Sequence, residues 1–404
     1  MADDFWKAGF DLAAELGIFC ISSNRIIKFS EEEIKEYLRK APSEIVVGEG
    51  KDKRVILPRS CEDQSSPICF GGPLGTSASE DLFVPIVQSC AQYRVIDGIA
   101  SAWPISYRGK KFRTKTPSEI FGTYWHVQLT QEAVNRAGRI DMPRLVGGIS
   151  LYGGLGVSLG IKKVGSDIAC VSAISEFKTE YDSLGKAILF KEGGYPIQAF
   201  HHSIIGGYVG GPEGAAIARV AATILMFLLY KTDITGCTVY DFRYAGNCGR
   251  DTIWANSIST QAITRNSHLL CGDLVDPSAG PGTSMILYEI AVNSLNCVAD
   301  GACWVNGVRS ASGKYINHNT GLESKFAAEV IKSLPGMKRS DANDIALALI
   351  SKYEKDLENP PIGKSFSELY NVTTLKPSQR WIEIYNNVLK ELKDLGCEII
   401  VTPF

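Results

Sequence analysis

The feature that most constrains the fold is a regular alternation between short apolar segments ending in glycine-rich loops and longer amphipathic stretches. The apolar segments lie at 67–72, 94–103, 143–150, 187–190, 203–211, 238–246 and 268–276, with 301–307 as a weaker candidate. The helical stretches between them include 117–138, 213–230, 251–267 and 282–299. Apolar strands that alternate with helices are typical of a parallel sheet covered on both faces. About eight such units favour a closed (β/α)8 TIM barrel over an open doubly wound sheet.

Helical patterns flank this alternation at both ends. Residues 5–17 have helical spacing and end at a glycine. Ser30 and Glu33 form a capping box ahead of a second helix, and 44–58 alternates around a glycine turn as a hairpin does. From about residue 322 the pattern is mostly helical. We therefore predict one domain over 1–404, with an N-terminal helix and hairpin in 1–60, a barrel core in 61–310 and a helical C-terminal part in 311–404.

The composition excludes several classes of protein. Of the 404 residues, 45% are hydrophobic and 21% are charged, with a formal net charge of -2. This balance fits a globular domain with a large core and disfavours a nucleic-acid binder, which would concentrate Lys and Arg. The acidic N-terminus lacks the apolar core of a signal peptide. The longest apolar run, 215–230, is short for a membrane span and contains Arg219, so we expect a buried helix, no membrane contact and a cytoplasmic location.

Neither a metal site nor a dinucleotide site is predicted. The eleven cysteines are scattered without a C-x-x-C pair, which favours buried reduced thiols over disulfides or zinc. His201 and His202 are adjacent on a strand, so at most one of them faces a given pocket. No H-x-x-x-H pair supports a metal. The glycine-rich stretch 153–160 misses the G-x-G-x-x-G spacing of a dinucleotide fold.

Carboxylates that follow apolar segments are the better functional signal. Asp273 and Asp276 lie in the loop "GDLVDPSAGPGTSM", and Glu213 follows "GGYVGGP" at the start of a helix. Catalytic groups of a barrel come from the C-terminal ends of several strands, so Glu213 and Asp276 are candidates for one barrel mouth. Two alternatives stay open. Glu213 can be a favourable first-turn acid of its helix, and Asp276 can be a turn or N-cap residue.

Two further groups accompany these acids. Asp241 and Arg243 lie two residues apart in "YDFRY", so both can face the same way. The aromatic rings of Tyr208 and Tyr244 can recognise a methylated nitrogen through cation–π contacts, or they can serve in ordinary core or rim packing.

Given these residues, the chain resembles the monomethylamine:corrinoid methyltransferases of methylotrophic methanogens over nearly its whole length. The segments that carry the resemblance are "FWKAGFDLAAELGIFC", "SEEEIKEYL", "GGPLGTSASEDLFVP", "IIGGYVGGPE", "DPSAGPGTSM", "TGLESKFAAEV" and "PIGKSFSELYNV". The resemblance implies a (β/α)8 barrel, a homo-oligomer (a hexamer) and transfer of a methyl group to the cobalt of a separate corrinoid protein. The D-x-H-x-x-G motif of that corrinoid partner is absent, so we expect this chain to bind no cofactor of its own. The sequence starts part-way into the family pattern.

The resemblance also implies particular site residues. The family's amine-contacting glutamate matches Glu213, and its amide and phenol side chains fall on Leu274 and Asp276. Its pyrrolysine, which takes up and orients the methylamine through an imine, falls near Ile161 and Lys162, where only ordinary residues occur. The resemblance therefore implies a pyrrolysine-free branch, in which monomethylamine itself is a doubtful substrate.

Physical chemistry favours a cationic substrate for such a reaction. A neutral alkylamine is a poor methyl donor because the leaving group would be an amide anion. Glu213 and Asp276 in one low-dielectric pocket would favour a protonated or quaternary nitrogen. The leading hypothesis is a pyrrolysine-independent corrinoid methyltransferase acting on a small methylated ammonium compound. The alternatives are metal-assisted O- or S-demethylation and a non-catalytic barrel that binds a methylated amine.

Overall fold

The computed structural model covers residues 1–404 and contains a sheet of eight parallel strands. We label them in chain order: β1 Ile68–Gly71, β2 Gly98–Ala100, β3 Arg144–Gly147, β4 Ile168–Ser172, β5 Ile197–Phe200, β6 Ile234–Thr235, β7 Gly272–Leu274 and β8 Trp304–Asn306. The strands pair in the order β6-β5-β4-β3-β2-β1-β8-β7. A parallel bridge between Thr235 of β6 and Cys271 beside β7 joins the two edges of the sheet. The predicted (β/α)8 TIM barrel is confirmed.

Helices follow the strands along the chain and cover the barrel. The helices are Ala2–Leu16, Glu31–Lys40, Phe83–Ala91, Pro117–Arg136, Leu151–Gly160, Tyr181–Glu192, Pro212–Tyr230, Arg250–Asn266, Ser284–Asp300, Gly321–Ser333, Arg339–Ile350, Phe366–Leu369 and Gln379–Asp394. Three short 3-10 helices lie at Gly50–Asp52, Ser310–Gly313 and Glu354–Asp356. The four helices predicted between the strands are present with ends shifted by a few residues, and the region after residue 322 is mostly helical as expected.

One predicted strand is wrong. Residues 187–190 lie inside the helix Tyr181–Glu192, and the fourth barrel strand is β4, which the sequence pattern missed. A short apolar run cannot be distinguished from one face of a buried helix by periodicity alone. Here the run is the inner face of the helix, where Ala187 and Phe190 are buried among outer-layer residues. The segments 203–211 and 238–246 are likewise only partly extended, and the barrel strands β5 and β6 end just before them.

The N-terminal region has the predicted form. Ser30 caps the helix Glu31–Lys40 in a capping box with Glu33, and Ile45–Val47 pairs with Arg54–Ile56 as an antiparallel hairpin. All eleven cysteines are free. The remaining short strands are Ile18–Cys20, Arg25–Ile27, Ser77–Ala78, Trp103–Pro104, Ser106–Tyr107, Lys110–Lys111, Lys178–Thr179, His202–Ile205 and Thr238–Asp241.

The core has an inner and an outer layer because side chains alternate along each strand. Inside the barrel, Phe70, Leu145 and Trp304 form one cluster together with Ile45 and Ile56 of the hairpin. The hairpin also contacts residues that precede barrel strands, with Gly48 N–H donating to the Ser166 carbonyl. It therefore closes the N-terminal end of the barrel, which we call the base. The outer layer consists of two larger clusters between the strands and the helices.

One helix, Pro212–Tyr230, is long and apolar enough by length and composition to cross a membrane, but 78% of its most apolar window is buried inside the protein. Its Arg219 is buried as well and donates hydrogen bonds to the Cys237 carbonyl and to Ser259. This is the behaviour of a core helix, in line with the expectation from the sequence.

Two of the short strands build the functional end of the barrel. His202–Ile205 continues β5, and Thr238–Asp241 continues β6, and the two extensions pair in parallel beyond the main sheet. They form one wall at the C-terminal end of the barrel. We call this end of the barrel the mouth. Because alternate residues of an extended segment face the same side, this wall presents His202, Ile204 and Tyr240 together.

Candidate active site

The mouth contains a cavity of about 850 Å³. Its lining is largely apolar and aromatic, and it includes Trp103, Phe200, Phe242 and Leu274 from four different parts of the barrel. A volume of this size, apolar walls and a few polar groups are typical of small-molecule sites. The C-terminal ends of the strands of a (β/α)8 barrel are also where active sites lie. The polar lining side chains are His126, His202, Tyr240, Asp241, Arg309, Ser101, Ser172, Ser175 and Cys170.

His202 faces this cavity and His201 does not. His201 is buried on the other side of the strand, where its Nε2 accepts a hydrogen bond from the Phe177 backbone N–H at 3.3 Å. The prediction that at most one of the two faces a pocket is confirmed. Burial lowers the pKa of His202 to about 4, and the positive charge of Arg309 acts in the same direction. His202 is therefore a neutral imidazole at neutral pH, packed edge-on against Tyr240.

Asp241 ends its strand with its carboxylate almost completely buried at the cavity wall. Arg243, two residues on, folds back onto it. The backbone N–H and Nε of Arg243 donate to Asp241 Oδ1 at 2.8 and 3.0 Å, and Nη2 donates to Oδ2 at 2.6 Å. The Arg243 side chain is 57% exposed and lies outside the lining. The two residues contact each other, but only Asp241 lines the cavity, so the predicted substrate contact of Arg243 is not present.

A second ion pair lies at the opposite edge of the same wall. Arg309, in the loop after β8, donates from Nη1 to Asp276 Oδ2 at 2.8 Å. The Tyr240 hydroxyl donates to the same oxygen at 2.6 Å. A further hydrogen bond fixes the position of Asp276, whose backbone N–H donates to the Asn247 side-chain oxygen at 3.1 Å. The negative charge of Asp276 raises the pKa of Arg309 above its usual range, and burial with the same charge raises the pKa of Tyr240.

The expected pair of cation-binding acids does not form. Asp276 is fully buried, is ion-paired with Arg309 and does not line the cavity. Glu213 is an exposed residue in the first turn of the helix Pro212–Tyr230, and it does not line the cavity either. The prediction that the two carboxylates jointly face one pocket is therefore wrong. The alternative for Glu213, a favourable acid beside the positive end of a helix, describes its position.

Several other candidate residues also lie elsewhere. Asp273 points to the outer layer, where it pairs with the buried Arg219 at 3.2 Å, because it alternates with Leu274 along β7. Leu274 faces the cavity, as the resemblance implies for that position. Tyr208 is 88% exposed with Lys178 over its ring. Tyr244 is buried behind the wall, beside Thr252. Neither tyrosine lines the cavity.

The segment near the family's pyrrolysine position also lies away from the lining. Ile161 and Lys162 follow the C-terminal end of the helix Leu151–Gly160. Ile161 is buried in the outer layer, and the Lys162 ammonium donates to the Leu159 carbonyl at 3.3 Å. The loop before this helix does reach the cavity, through Gly147, Gly148 and Ile149. The expected substrate contact of Ile161 and Lys162 is not present.

The polar or aromatic lining residues that sequence reasoning missed include Trp103, His126, Phe200, Tyr240, Phe242 and Arg309. A signal existed for Arg309, which follows the weaker strand candidate 301–307, and for Trp103, which ends the segment 94–103, because residues after barrel strands face the mouth. No comparable signal marks His126. His126 lies on a helix with neither ring nitrogen hydrogen-bonded, and burial lowers its pKa to about 4. No group of three or more His, Cys, Asp or Glu side chains lies close enough to hold a metal ion.

Comparison with known proteins gives a consistent result. The sequence model of the family described as monomethylamine methyltransferase MtmB matches residues 1–397. Monomethylamine methyltransferase MtmB1 of Methanosarcina barkeri is 32% identical over 400 residues, which cover 98% of this chain and 87% of that protein. The protein of the same name from Methanosarcina acetivorans is 31% identical with the same coverage.

Solved structures agree with the sequence relatives. The crystal structure of the Methanosarcina barkeri monomethylamine methyltransferase MtmB superposes with a TM-score of 0.95 at 30% identity. The match covers 99% of this chain and 88% of that chain. A crystal structure of a hydroxylamine complex of MtmB superposes equally well.

Proposed function

Because this chain belongs to the monomethylamine methyltransferase MtmB family and is a methylamine methyltransferase, we propose that it demethylates a small N-methylated ammonium compound in the mouth cavity. We propose further that the acceptor is the cobalt(I) of a separate corrinoid protein and that the reaction needs no pyrrolysine. The observation that carries the proposal is a cavity with aromatic walls and one buried carboxylate, Asp241, at the active end of a barrel of this family.

The cavity walls suit a methylated cation. Trp103, Phe200 and Phe242 present aromatic rings, and methylated ammonium groups are commonly recognised by aromatic faces. Asp241 adds negative charge close to the cavity, where the low dielectric strengthens its attraction for a cation. Asp241 therefore takes the place of the pair of acids expected from the sequence. The physical reason is unchanged, because a negative charge nearby favours the protonated state of an amine.

The protonated or quaternary state matters for the chemistry. As the methyl group leaves, the C–N bond breaks with its electron pair staying on nitrogen, while the cobalt(I) electron pair forms the new bond to carbon. A positive nitrogen departs as a neutral amine, whereas a neutral one would depart as an amide anion. The residues of this chain bind the cation, orient its methyl group and exclude water, and positioning of this kind lowers the barrier of a displacement substantially.

The rim of the cavity fits a protein partner. Phe242 and Ile149 both line the opening and are mostly exposed, at 76% and 62%. Exposed apolar side chains around an opening are typical of interaction surfaces. We propose that the corrinoid protein docks on this rim. Changing Ile149, which is not one of the aromatic walls, to Ser is expected to raise the KM for the corrinoid protein and leave the KM for the amine unchanged.

The central test is a methyl-transfer assay. The purified protein is mixed with a reduced cognate corrinoid protein and a panel of N-methylated ammonium compounds, and the disappearance of cobalt(I) is followed by absorbance. Turnover with at least one such compound is expected. Turnover with methanol or a methyl thioether alone would contradict the proposal. Ligand binding without methyl transfer to any reduced corrinoid protein would contradict it too.

The role of Asp241 has a matched control in Asp251. Both carboxylates contact Arg243, but Asp251 does so from the surface at 3.7 Å and does not line the cavity. Asp241→Asn is expected to raise the Kd of a methylated cation by about tenfold, because the negative charge beside the cavity is lost. Asp251→Asn is expected to change it by less than about twofold. Equal effects of the two changes would show that Asp241 does not act on the ligand.

Pyrrolysine independence and assembly are tested separately. The protein made in a host without pyrrolysine machinery is expected to have full activity and the mass of the ordinary 404-residue sequence. Activity that appears only when pyrrolysine is supplied would contradict the proposal. We also propose a homo-oligomer, by analogy with the family, and light scattering measures its mass directly.

A further inference from the structure

Two charged residues of opposite sign line the cavity, Asp241 and Arg309. The Asp241 side chain is 1% exposed and both its oxygens accept hydrogen bonds from Arg243, whereas the Arg309 side chain is 36% exposed. The other titratable lining groups carry no charge at neutral pH. Burial lowers the pKa values of His126 and His202 to about 4, and it raises those of Tyr240 and Cys170 above their usual values. The cavity wall is therefore bipolar, with the carboxylate of Asp241 buried behind its surface and the guanidinium of Arg309 open to it.

The ion pair with Asp276 leaves some N–H donors of the Arg309 guanidinium without a partner. Its hydrogen bond to protein runs from Nη1 to Asp276 Oδ2, and a guanidinium carries several further N–H donors. The side chain is 36% exposed, and the residue lines the cavity. The guanidinium lies over Gly313, where a Cβ atom would come within 2.5 Å of Nε. The glycine leaves the space that the group needs.

The ion pair at the mouth differs from the closed pair between Arg144 and Asp167 at the base, whose side chains are 4% and 3% exposed. In the mouth the carboxylate of Asp276 is closed and the guanidinium of Arg309 is open. Asp276 Oδ2 also accepts from Tyr240, so the acid does not depend on the arginine alone. Open donors on a fixed arginine in an apolar cavity are a site for an anion.

We propose that the substrate is zwitterionic, an N-methyl amino acid whose carboxylate is bound by Arg309 and whose methylated ammonium group lies against the aromatic walls and Asp241. This inference rests on the proposed function for the position of the methylated nitrogen. Arginine binds carboxylates with parallel N–H donors, which fixes orientation as well as charge. Anchoring the carboxylate would therefore point the methyl group in one direction, toward the incoming acceptor.

A simple methylammonium ion matches this cavity less well, because it would leave the open donors of Arg309 without a hydrogen-bond acceptor. The carboxylate of a zwitterion supplies that acceptor, and the zwitterion adds no net charge to the cavity.

The test is calorimetric binding to the purified protein at one ionic strength, with N-methylglycine, methylammonium and acetate as probes. N-methylglycine is expected to bind at least about tenfold more tightly than either fragment, since each fragment meets only one end of the bipolar wall. The variants are Arg309→Lys, which keeps the charge but loses the planar fork, and the double change Arg309→Met with Asp276→Asn. The double change avoids leaving an unpaired buried carboxylate.

The double variant is expected to lose the preference for N-methylglycine and to keep its affinity for methylammonium within about threefold. Arg309→Lys is expected to lose part of the preference. The matched control is Arg250→Met with Glu354→Gln, which removes a surface ion pair of 2.9 Å far from the lining and is expected to change nothing. Thermal melts verify that every variant is folded.

The outcomes separate this inference from the proposed function. If N-methylglycine binds no more tightly than methylammonium while methylammonium still methylates the corrinoid protein, the zwitterionic substrate is wrong and the proposed function stands. If Arg309 provides the preference but no N-methylated probe transfers its methyl group, the proposed function is wrong and recognition of a zwitterion is supported. A preference that survives the double variant would overturn the assignment to Arg309.

Discussion

Buried ion pairs occur at both ends of the barrel, but they are built differently. At the base, Arg144 begins β3 and pairs with Asp167, the residue before β4, with both side chains almost fully buried. At the mouth, Asp241 and Asp276 are buried to the same degree, but Arg243 and Arg309 remain 57% and 36% exposed. The pair of Arg144 and Asp167 is closed and connects neighbouring strands, whereas Asp97 at the same end has partners, Arg54 and Lys332, that are 24% and 27% exposed. Each ion pair at the mouth holds a buried aspartate in place and leaves its arginine accessible. Pairs of arginine and aspartate therefore support the fold at the base and a candidate binding site at the mouth.

This difference predicts unequal costs of removing one partner. Arg144→Met leaves Asp167 buried without its charge partner, and breaking a pair of this kind typically costs about 3–5 kcal/mol. Arg309→Met is expected to cost less, about 1–3 kcal/mol. In that variant Asp276 keeps the hydrogen bond from Tyr240, and burial already raises its pKa, so it can take up a proton. Urea denaturation of the two variants measures both costs. Equal costs would break the comparison, because the mouth pair would then be a structural element like the base pair.

The histidine of the mouth gives a smaller, pH-dependent effect. The folded protein holds the pKa of His202 near 4, whereas the unfolded chain has the usual value of about 6.5. Between these values the unfolded state binds more protons, so stability is fully present above about pH 6.5 and falls as the pH drops toward 4. One such group contributes up to about 1.4 kcal/mol per pH unit. His202→Gln should reduce the pH slope of the unfolding free energy in this window.

The control for that measurement is His318→Gln, because His318 is partly exposed in a loop outside the cavity. It should leave the slope unchanged. His126 and His201 are buried with lowered pKa values of about 4 and about 3, so the slope of the His202 variant should fall without vanishing. If the His202 variant had an unchanged pH slope, the His202 imidazole would titrate normally and the mouth would be as well hydrated as the surface.

The sequence was sufficient to predict the (β/α)8 fold and the end of the barrel that carries the site. Strand ends and glycine-rich loops located the mouth, and Leu274 and Asp241 both lie in it. What the pattern could not supply was the direction of each side chain. Asp273 and Leu274 are adjacent on β7 and face opposite sides, and a shift of one residue would exchange them. Nothing local determines that register, because it depends on pairing with β8, where Leu274 lies opposite Asn306.

The residues that pair with these aspartates could not be predicted from the sequence either. Asp276 and Arg309 are 33 residues apart in the chain and meet only after β8 has returned beside β7. An acid in a loop was therefore interpreted as free when it was already paired. The two strand extensions that bring Tyr240 to the mouth are a further example. The apolar segments 203–211 and 238–246 indicated these extensions, but their pairing beyond the main sheet depends on long-range contacts.

The smallest expected effect comes from Tyr208, and it tests where the site ends. This residue follows the β5 extension closely in sequence, but its side chain is 88% exposed and lies under Lys178 rather than in the cavity lining. Tyr208→Ala should change stability by no more than about 0.5 kcal/mol, as surface substitutions usually do. It should change the Kd of a methylated cation by less than about twofold, because an exposed ring outside the cavity makes no contact with a ligand inside it. Calorimetric titration beside Phe242→Ala provides the contrast, since Phe242 lines the opening. If the Tyr208 variant lost affinity as strongly as the Phe242 variant, the loop after the β5 extension would belong to the site, and the mouth would extend beyond the cavity described above.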